Sequence, residues 1–290
     1  MRVAVPVLDV RNTPIPSTTG LLHDEAEETQ LLYGEQVLLL ESRNGWGRIE
    51  AVEQFEWSHH ERWEGYPGWV DLRGLVAADP NWHPDFVVTS KRGIVCANPM
   101  DIPILTLSLG TCLMGLGGVG DWWNVRLVDG REGRVRLAEI TPLTALRATA
   151  QAQRRQILAA ARLLLGDPYY WGGRSAHLSE GWQPPQSGVD CSGLVNLCYR
   201  SAGLLIPRDA HEQFLRARAI ARWQLQPGDL VFLGDPSDAN RMTHVMLYVG
   251  QGRVIEGPGT GSTVREISLD EKLKTPGIAG RCVAYGTYFS

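Results

Sequence analysis

The chain has 290 residues, 43% of them hydrophobic, with 28 basic against 32 acidic side chains and a formal charge of −4. That is length for one large domain or two to three small ones; the charge, without long runs of one sign, lacks the footprint of a nucleic-acid or anionic-membrane binder. Residues 1–20 carry three prolines plus Asp9 and Arg11 where a secretory leader needs an unbroken apolar stretch, so the expected location is cytoplasmic. No window approaches the roughly 18 apolar residues of a membrane span.

Residues 1 to about 142 read as strands and turns. The runs GEQVLLLE, GWGRIEAV and GWVDLRGLV are short, apolar or alternating, and punctuated by Gly, Asn and Pro, the pattern of small all-β units. A weak internal repeat argues for two of them. Gly68-Trp69-Val70-Asp71-Leu72 followed by Leu75 recurs as Gly133-Arg134-Val135-Arg136-Leu137 followed by Ile140, and Gly45-Trp46 finds a counterpart in Asp121-Trp122. The stretch from Asp79 to Pro84 is the expected joint, giving units at 1–80 and 81–143 and a third part at 144–290. In turns and spacing the first half resembles a pair of bacterial SH3-like barrels; Arg134 stands where the first copy has the aromatic Trp69. Most of the ten tryptophans are expected in the core at barrel turns.

After Pro142 the character changes. From Ala145 to Leu165 Gly and Pro are nearly absent, and Ile157, Leu158, Ala161, Leu164 and Leu165 share a 3.6-residue face. This predicts one amphipathic helix stopped by Gly166 and Pro168. A second helix is expected over Ser192–Ala202 with Gly203 at its left-handed end. Strands follow at Asp229–Leu233, His244–Val249, Arg253–Glu256 and Cys282–Tyr288. Helices and then strands predict an α+β domain.

Five cysteines, with no Cys-x-x-Cys pair, argue against a disulfide framework or a zinc site. Most read as small buried apolar groups, and no metal or cofactor is expected. His59, His60 and His83 lack metal spacing and read as exposed loop residues, and His211 as surface or packing.

Cys191 differs from the other thiols by position. It opens a predicted helix, where free first-turn amides stabilise a thiolate. Asp190 is placed as N-cap and Gly193 allows close approach to the sulfur. On its own such a cysteine is more often structural than reactive. A base is available, however, because His244, Met246 and Tyr248 share one face of a strand. A three-residue turn centred on Gln251 would pair Glu256 with Met246, making Glu256 a diagonal neighbour of His244. Nucleophile, base and orienting acid are then present.

The blocks Tyr169-Tyr170-Trp171-Gly172-Gly173, Asp190-Cys191-Ser192-Gly193-Leu194, Pro207-Arg208-Asp209-Ala210, Leu225-Gln226-Pro227-Gly228-Asp229-Leu230 and His244-Val245 resemble, in order, the NlpC-type cell-wall peptidases. The resemblance implies a papain-like cysteine peptidase that cuts γ-D-glutamyl bonds to diaminopimelate or lysine in peptidoglycan peptides. It implies Cys191 as nucleophile, His244 as base and Tyr169 on the oxyanion side of the cleft. Glu256 stands where that family usually has a third catalytic histidine, which predicts activity with a shifted pH profile. The insert between Ser175 and Asp190, containing Glu180-Gly181-Trp182-Gln183-Pro184-Pro185, is longer than the family's link and is expected over the cleft.

Paired barrels ahead of such a domain resemble the subgroup that trims free muropeptides, whose first barrel closes one end of the cleft and selects a free amino terminus. Asp209 matches the amine-binding acid, Tyr66 and Glu28 the barrel contributors, Ser192 lies close by, and Trp171 is expected near the active centre. Plainer readings stand beside these: Asp209 as a helix cap, Tyr66 as turn packing, Glu28 as solvated surface. The segment Gly257–Gly261 reads as a cleft-rim loop, since no Lys-Ser/Thr follows to make a phosphate loop. The implied role is murein peptide recycling. Competing expectations are a wall-binding protein with an inactive peptidase-like domain, and a papain-like acyltransferase or amidase.

Overall fold

Antiparallel pairing of short strands dominates the computed structural model, which describes residues 1–17, 23–98, 101–177, 187–235, 237–238 and 240–290. A first five-stranded sheet runs in the order Glu27–Leu32, Val7–Arg11, Glu64–Asp71, Trp46–Glu56, Val37–Arg43. Its inward residues Val10, Leu31, Ile49, Ala51, Tyr66 and Val70 form one core. Asn44 and Gly45, both in the left-handed region at φ 52° and 83°, make the tight turn between the strands Val37–Arg43 and Trp46–Glu56. A second, seven-stranded sheet covers Phe86–Pro142 around Val95, Leu107, Leu113, Val125 and Val135.

The sequence repeat is a structural one. Trp46 pairs with Asp71, and Trp122 pairs with Arg136, at the same point of each unit. Leu72 N–H donates to the Gly45 carbonyl as Leu137 N–H donates to that of Asp121. Each copy then makes one 3₁₀ turn, Leu72–Gly74 or Leu137–Glu139, and enters a short strand. Arg134 stacks over Trp122 at 4.8 Å and pairs with Asp101, so the position that differs from the first copy is filled by a cation over the ring.

The remaining residues place helices Ala150–Leu163 and Cys191–Ser201 against a six-stranded antiparallel sheet. Its order is Arg218–Ala219, Val283–Thr287, Leu230–Gly234, Met242–Gly250, Arg253–Glu256, Arg265–Ser268. Every residue from Ser192 to Ser201 is buried, so this helix is enclosed on all sides. The hairpin turn holds two residues, with Gly250 opposite Arg253, and a bulge at Val249 supplies the third. Leu247 therefore faces Ile255, the register that a three-residue turn predicts.

Three expectations need correction. The single helix over 145–165 is two, Leu143–Arg147 and Ala150–Leu163, because Thr149 is extended and its hydroxyl caps the second by accepting from Ala152 N–H at 3.0 Å. Leu165 lies beyond that helix and is exposed. Of the described tryptophans only Trp82 is fully buried, while others lie half-exposed under arginines, as Trp69 does under Arg43. Of the cysteines, Cys96 and Cys198 are fully buried and Cys282 is exposed. The insert residues 180–185 lie outside the described residues.

Charged side chains join the third part to the first sheet. Arg174 Nη1 reaches Glu35 at 2.7 Å, Arg200 Nε reaches the same carboxylate at 3.2 Å, and Gln54 donates to it at 3.0 Å. Burial alone would push Glu35 up, but Arg174 and Arg200 outweigh it and hold it below the ordinary range. The pairing thus stabilises the fold at neutral pH and is lost as pH falls through the depressed pKa. Replacing Glu35 with Ala leaves the buried Arg174 without a carboxylate and Arg200 with Glu53 alone, and urea denaturation is expected to show a loss of about 3–5 kcal/mol. Glu132→Ala, which removes an exposed partner of Arg126, is expected to stay within about 0.5 kcal/mol.

Candidate active site

The start of helix Cys191–Ser201 is fixed by Asp190. Its Oδ1 accepts from Gly193 N–H at 2.6 Å as N-cap, and its Oδ2 accepts from Gly172 N–H at 3.1 Å. Arg208, fully buried, grips both oxygens at 3.1 and 2.7 Å. The same guanidinium donates to Ser192 Oγ at 2.9 Å and to Thr29 Oγ1 of the first sheet at 2.7 Å. A Cβ added at Gly193 would lie 2.1 Å from the Gly173 carbonyl oxygen, so only glycine allows the two segments to close.

Cys191 lines a cleft of about 410 Å³ together with Tyr169, Trp171, Asp190 and Ser192. Its sulfur lies against the backbone N–H groups of Ser192 and Val245, the latter next to His244. Burial, reinforced by the Asp190 carboxylate, pushes the thiol up to about 12. Burial first, and the anionic cap second, thus work against the thiolate that the amides of this helix start favour. His244 is buried, and burial also lowers its pKa against the pull of Glu256.

Glu256 does face His244: Nε2 lies 2.7 Å from Oε2. An ionised carboxylate only accepts, so Nε2 carries the proton and Nδ1 keeps the lone pair. Burial opposes the charge on Glu256, but His244 and Lys272 outweigh it and hold its pKa at about 2. Lys272 Nζ sits 2.8 Å from Oε2, and Arg265 Nη2 2.9 Å from Oε1.

Residues of the first sheet and its hairpin, Glu28, Ser58, His59 and Tyr66, line the other end of the cleft. Tyr66 Oη donates to Asp209 Oδ2 at 3.0 Å and lies 3.4 Å from Glu28 Oε2. Asp209 makes no side-chain cap bond to the helix Ala210–Arg216, which removes the capping reading. Burial raises it to about 7, with Arg208 pulling the other way. Glu28 lines the cleft with its side chain 25% exposed. Trp171 lines it half-exposed and packs against His23 at 5.1 Å, and Tyr169 is buried with its phenol held above its ordinary range by burial. Gly257 packs on the Tyr169 ring and the Asp190 backbone, so the segment after Glu256 does border the cleft.

Five residues near the cleft escape the sequence reading in whole or part. Arg208 and Lys272 are buried cations whose partners are far away in sequence. Arg265 sits opposite Glu256 across two strands. His59 is an exposed turn residue, as expected, and in addition lines the cleft, meets Tyr66 edge-on at 5.1 Å, and is raised by its bond to Glu56. His211, expected as surface or packing, does stack on Phe214, and in addition lines the cleft and accepts from Met242 N–H at 3.3 Å. Glu56, His60 and Glu64 gather three ligand atoms within 4.8 Å. Glu64 is already paired with Arg62 and His60, and Glu56 with His59, so side chains neutralise that group.

Residues 166–280 match the profile of the NlpC/P60 family. Over 254 residues the chain is 28% identical to a gamma-D-glutamyl-L-lysine dipeptidyl-peptidase of Bacillus subtilis (strain 168), covering 88% of this chain and 80% of that protein. Over 127 residues it is 39% identical to the murein DD-endopeptidase MepH of Escherichia coli (strain K12), covering 42% and 43%. A solved NlpC/P60 family protein from Bacillus cereus ATCC 10987 superposes with a TM-score of 0.82 at 24% identity, covering 100% of this chain and 99% of that one. The fold is thus shared over the whole length.

The Glu256 carboxylate raises the proton affinity of His244. Glu256→Gln is expected to move the imidazole midpoint further below the ordinary value of about 6.5, followed by the ring ¹⁵N or ¹³C shifts in an NMR titration. An upward move would contradict this arrangement of charges.

Proposed function

We propose that this chain, an NlpC/P60 cysteine peptidase, hydrolyses the γ-D-glutamyl to diamino-acid bond of peptidoglycan peptides that carry a free N-terminal L-alanine. One observation carries the substrate choice: the acid–phenol pair Asp209–Tyr66, with Glu28 beside it, stands in the same cleft as Cys191. An ammonium group bonded there satisfies two carboxylates at once. Only a peptide already released from its sugar offers such an amine, which is why trimming of soluble fragments, and so murein peptide recycling, is the role that fits.

In this reading the chain divides into two SH3-like barrels, 1–80 and 81–143, and a papain-like peptidase domain, 144–290, with the first barrel supplying the closed end of the cleft. Asp209, Tyr66 and Glu28 hold the alanine ammonium, and Ser192 and Trp171 border the peptide. His244 Nδ1 takes the proton of Cys191 as the sulfur attacks the γ-carbonyl carbon of D-Glu. A thiol as weakly acidic as this one needs that transfer to be concerted with attack. The Cys191 and Ser192 amides and the neutral phenol of Tyr169 face the developing oxyanion. The imidazolium, stabilised by Glu256, then protonates the departing amine of the diamino acid, and water releases the acyl group. Either diaminopimelate or lysine satisfies this chemistry.

The test compares L-Ala-γ-D-Glu-diaminopimelate, its lysine counterpart and their N-acetylated forms as substrates. Wild type is expected to cleave the free-amine compounds at the γ-glutamyl bond, to leave the acetylated ones intact, and to lose all turnover as Cys191→Ala. Cleavage of free and acetylated peptides at equal rates would sink the amine site, and no cleavage at all would sink the peptidase reading. Transfer to an added amine in preference to water would instead indicate an acyltransferase.

Asp209 adds a pH signature. It binds an ammonium only when ionised, so KM is expected to fall as pH rises through about 7 and to rise again as the substrate amine loses its proton near pH 8. Asp209→Asn should abolish the lower limb and raise KM by about 30-fold or more, the equivalent of about 2 kcal/mol. An unchanged lower limb in that variant would assign it to another group.

A further inference from the structure

Glu256 is fully buried, yet it carries more positive charge around it than orienting an imidazole requires. Its Oε2 is shared by His244 Nε2 at 2.7 Å and Lys272 Nζ at 2.8 Å, and Lys272 also reaches Oε1 at 3.1 Å. Arg265 donates to Oε1 through Nε and Nη2 at 3.1 and 2.9 Å. The two cations are not equivalent. Arg265 has its side chain about half in solvent, whereas that of Lys272 is 7% exposed, so its charge acts with little screening. Lys272 is brought there by a single helical turn, Leu269–Lys274, capped by Ser268 and anchored by buried Leu269 three residues earlier on the same face.

A carboxylate hydrogen-bonded to a buried imidazole, with no other partner, draws a proton onto the ring, and a ring already protonated is no base. We propose that Lys272 is a positioning residue for the base: its ammonium neutralises Glu256, so that His244 rests as the neutral, Nε2-protonated imidazole while keeping its orienting hydrogen bond. The groups that act on the ring pull in opposite directions: burial, Lys272 and Arg281 disfavour imidazolium, and Glu256 favours it. Arg265 acts through Glu256 from the neighbouring strand, and Cys191 stands at the start of its helix, where burial and Asp190 disfavour a negative charge on the sulfur. The carboxylate then does its electrostatic work mainly after proton transfer, when an imidazolium exists to be stabilised.

The kinetic part of the test rests on the peptidase reading above; the spectroscopic part does not. In a Cys191→Ala background the His244 midpoint is followed by NMR for Lys272, Lys272→Gln, Lys272→Met and Lys272→Arg. Gln keeps a donor to Glu256 without charge, and Met keeps the length of the side chain without either. Both are expected to raise the midpoint by about 1 unit or more, and Arg to restore it. In the active-site-intact proteins the acid limb of kcat/KM for the free-amine peptide is expected to move up by the same amount. A folded Gln or Met variant whose midpoint stays put or falls overturns the proposal, and so does an acid limb that keeps its position while activity merely declines. If wild type cleaves no peptide, the function proposed above fails and the NMR midpoints still decide the role of Lys272.

Discussion

One guanidinium, that of Arg208, ties together every part of this structure that has chemistry in it. It is fully buried and makes five hydrogen bonds or ion pairs: to both oxygens of Asp190, to Ser192, to Thr29 of the first sheet and to its own neighbour Asp209. Its backbone N–H donates to the Phe55 carbonyl, so the segment carrying it is stitched to the first sheet as well. A buried charge is costly unless it is paired and hydrogen-bonded. That requirement makes the start of the Cys191 helix, the acid at the far end of the cleft and the N-terminal sheet mutually dependent.

The arrangement has a chemical cost. Arg208 needs Asp190 ionised, and the helix needs Asp190 as its cap, but the same carboxylate lies beside the sulfur and raises its pKa. The favourable amides of the first turn do not compensate, since Asp190 occupies the Gly193 N–H. Burial and an anion therefore oppose ionisation of the sulfur while the first-turn amides favour it. In the buried set of His244, Glu256 and Lys272, burial likewise keeps the imidazole below its ordinary pKa while the carboxylate stays ionised.

Much of this is legible in the sequence where the signal is local. Asp-Cys-Ser-Gly before an apolar run gives a capped helix start, and alternation in His-Val-Met-Leu-Tyr-Val with a Gly-Gln-Gly turn gives the register that aims Glu256 at His244. The repeat of Gly-x-Val-x-Leu gives two units that share a strand pairing and the backbone bond into the turn, Leu72 to Gly45 and Leu137 to Asp121. What escapes is set by pairings between distant segments. The partner of Arg208 at Thr29 is 179 residues away, and nothing in a stretch such as Glu-Lys-Leu-Lys marks Lys272 as the buried cation and Lys274 as the free one. The clue available was Leu269 followed by a lysine at the next turn on the same face. His59 escaped because its value lies in a hairpin tip that bends into the cleft, which spacing among histidines cannot reveal.

The division of labour across the cleft follows from the same distances. The end holding Cys191 is built from the third part, whereas the end holding Asp209 is completed by Tyr66, Glu28 and His59 from the first sheet and its hairpin. Tyr66 is itself a core residue of that sheet, and Asp209 sits next to the arginine that clamps the helix cap. The first sheet therefore cannot shift by an ångström without moving a cleft wall and unpairing a buried charge together. Charge on the Asp209 side also competes internally: His59, raised by Glu56, lies near Glu28 and Asp209 and draws on the negative potential that an incoming ammonium would use. The packed wall and the titratable histidine thus stand at the same end of the cleft, so a change of pH alters the charge beside Asp209 and Glu28 without any movement of the sheet that carries them.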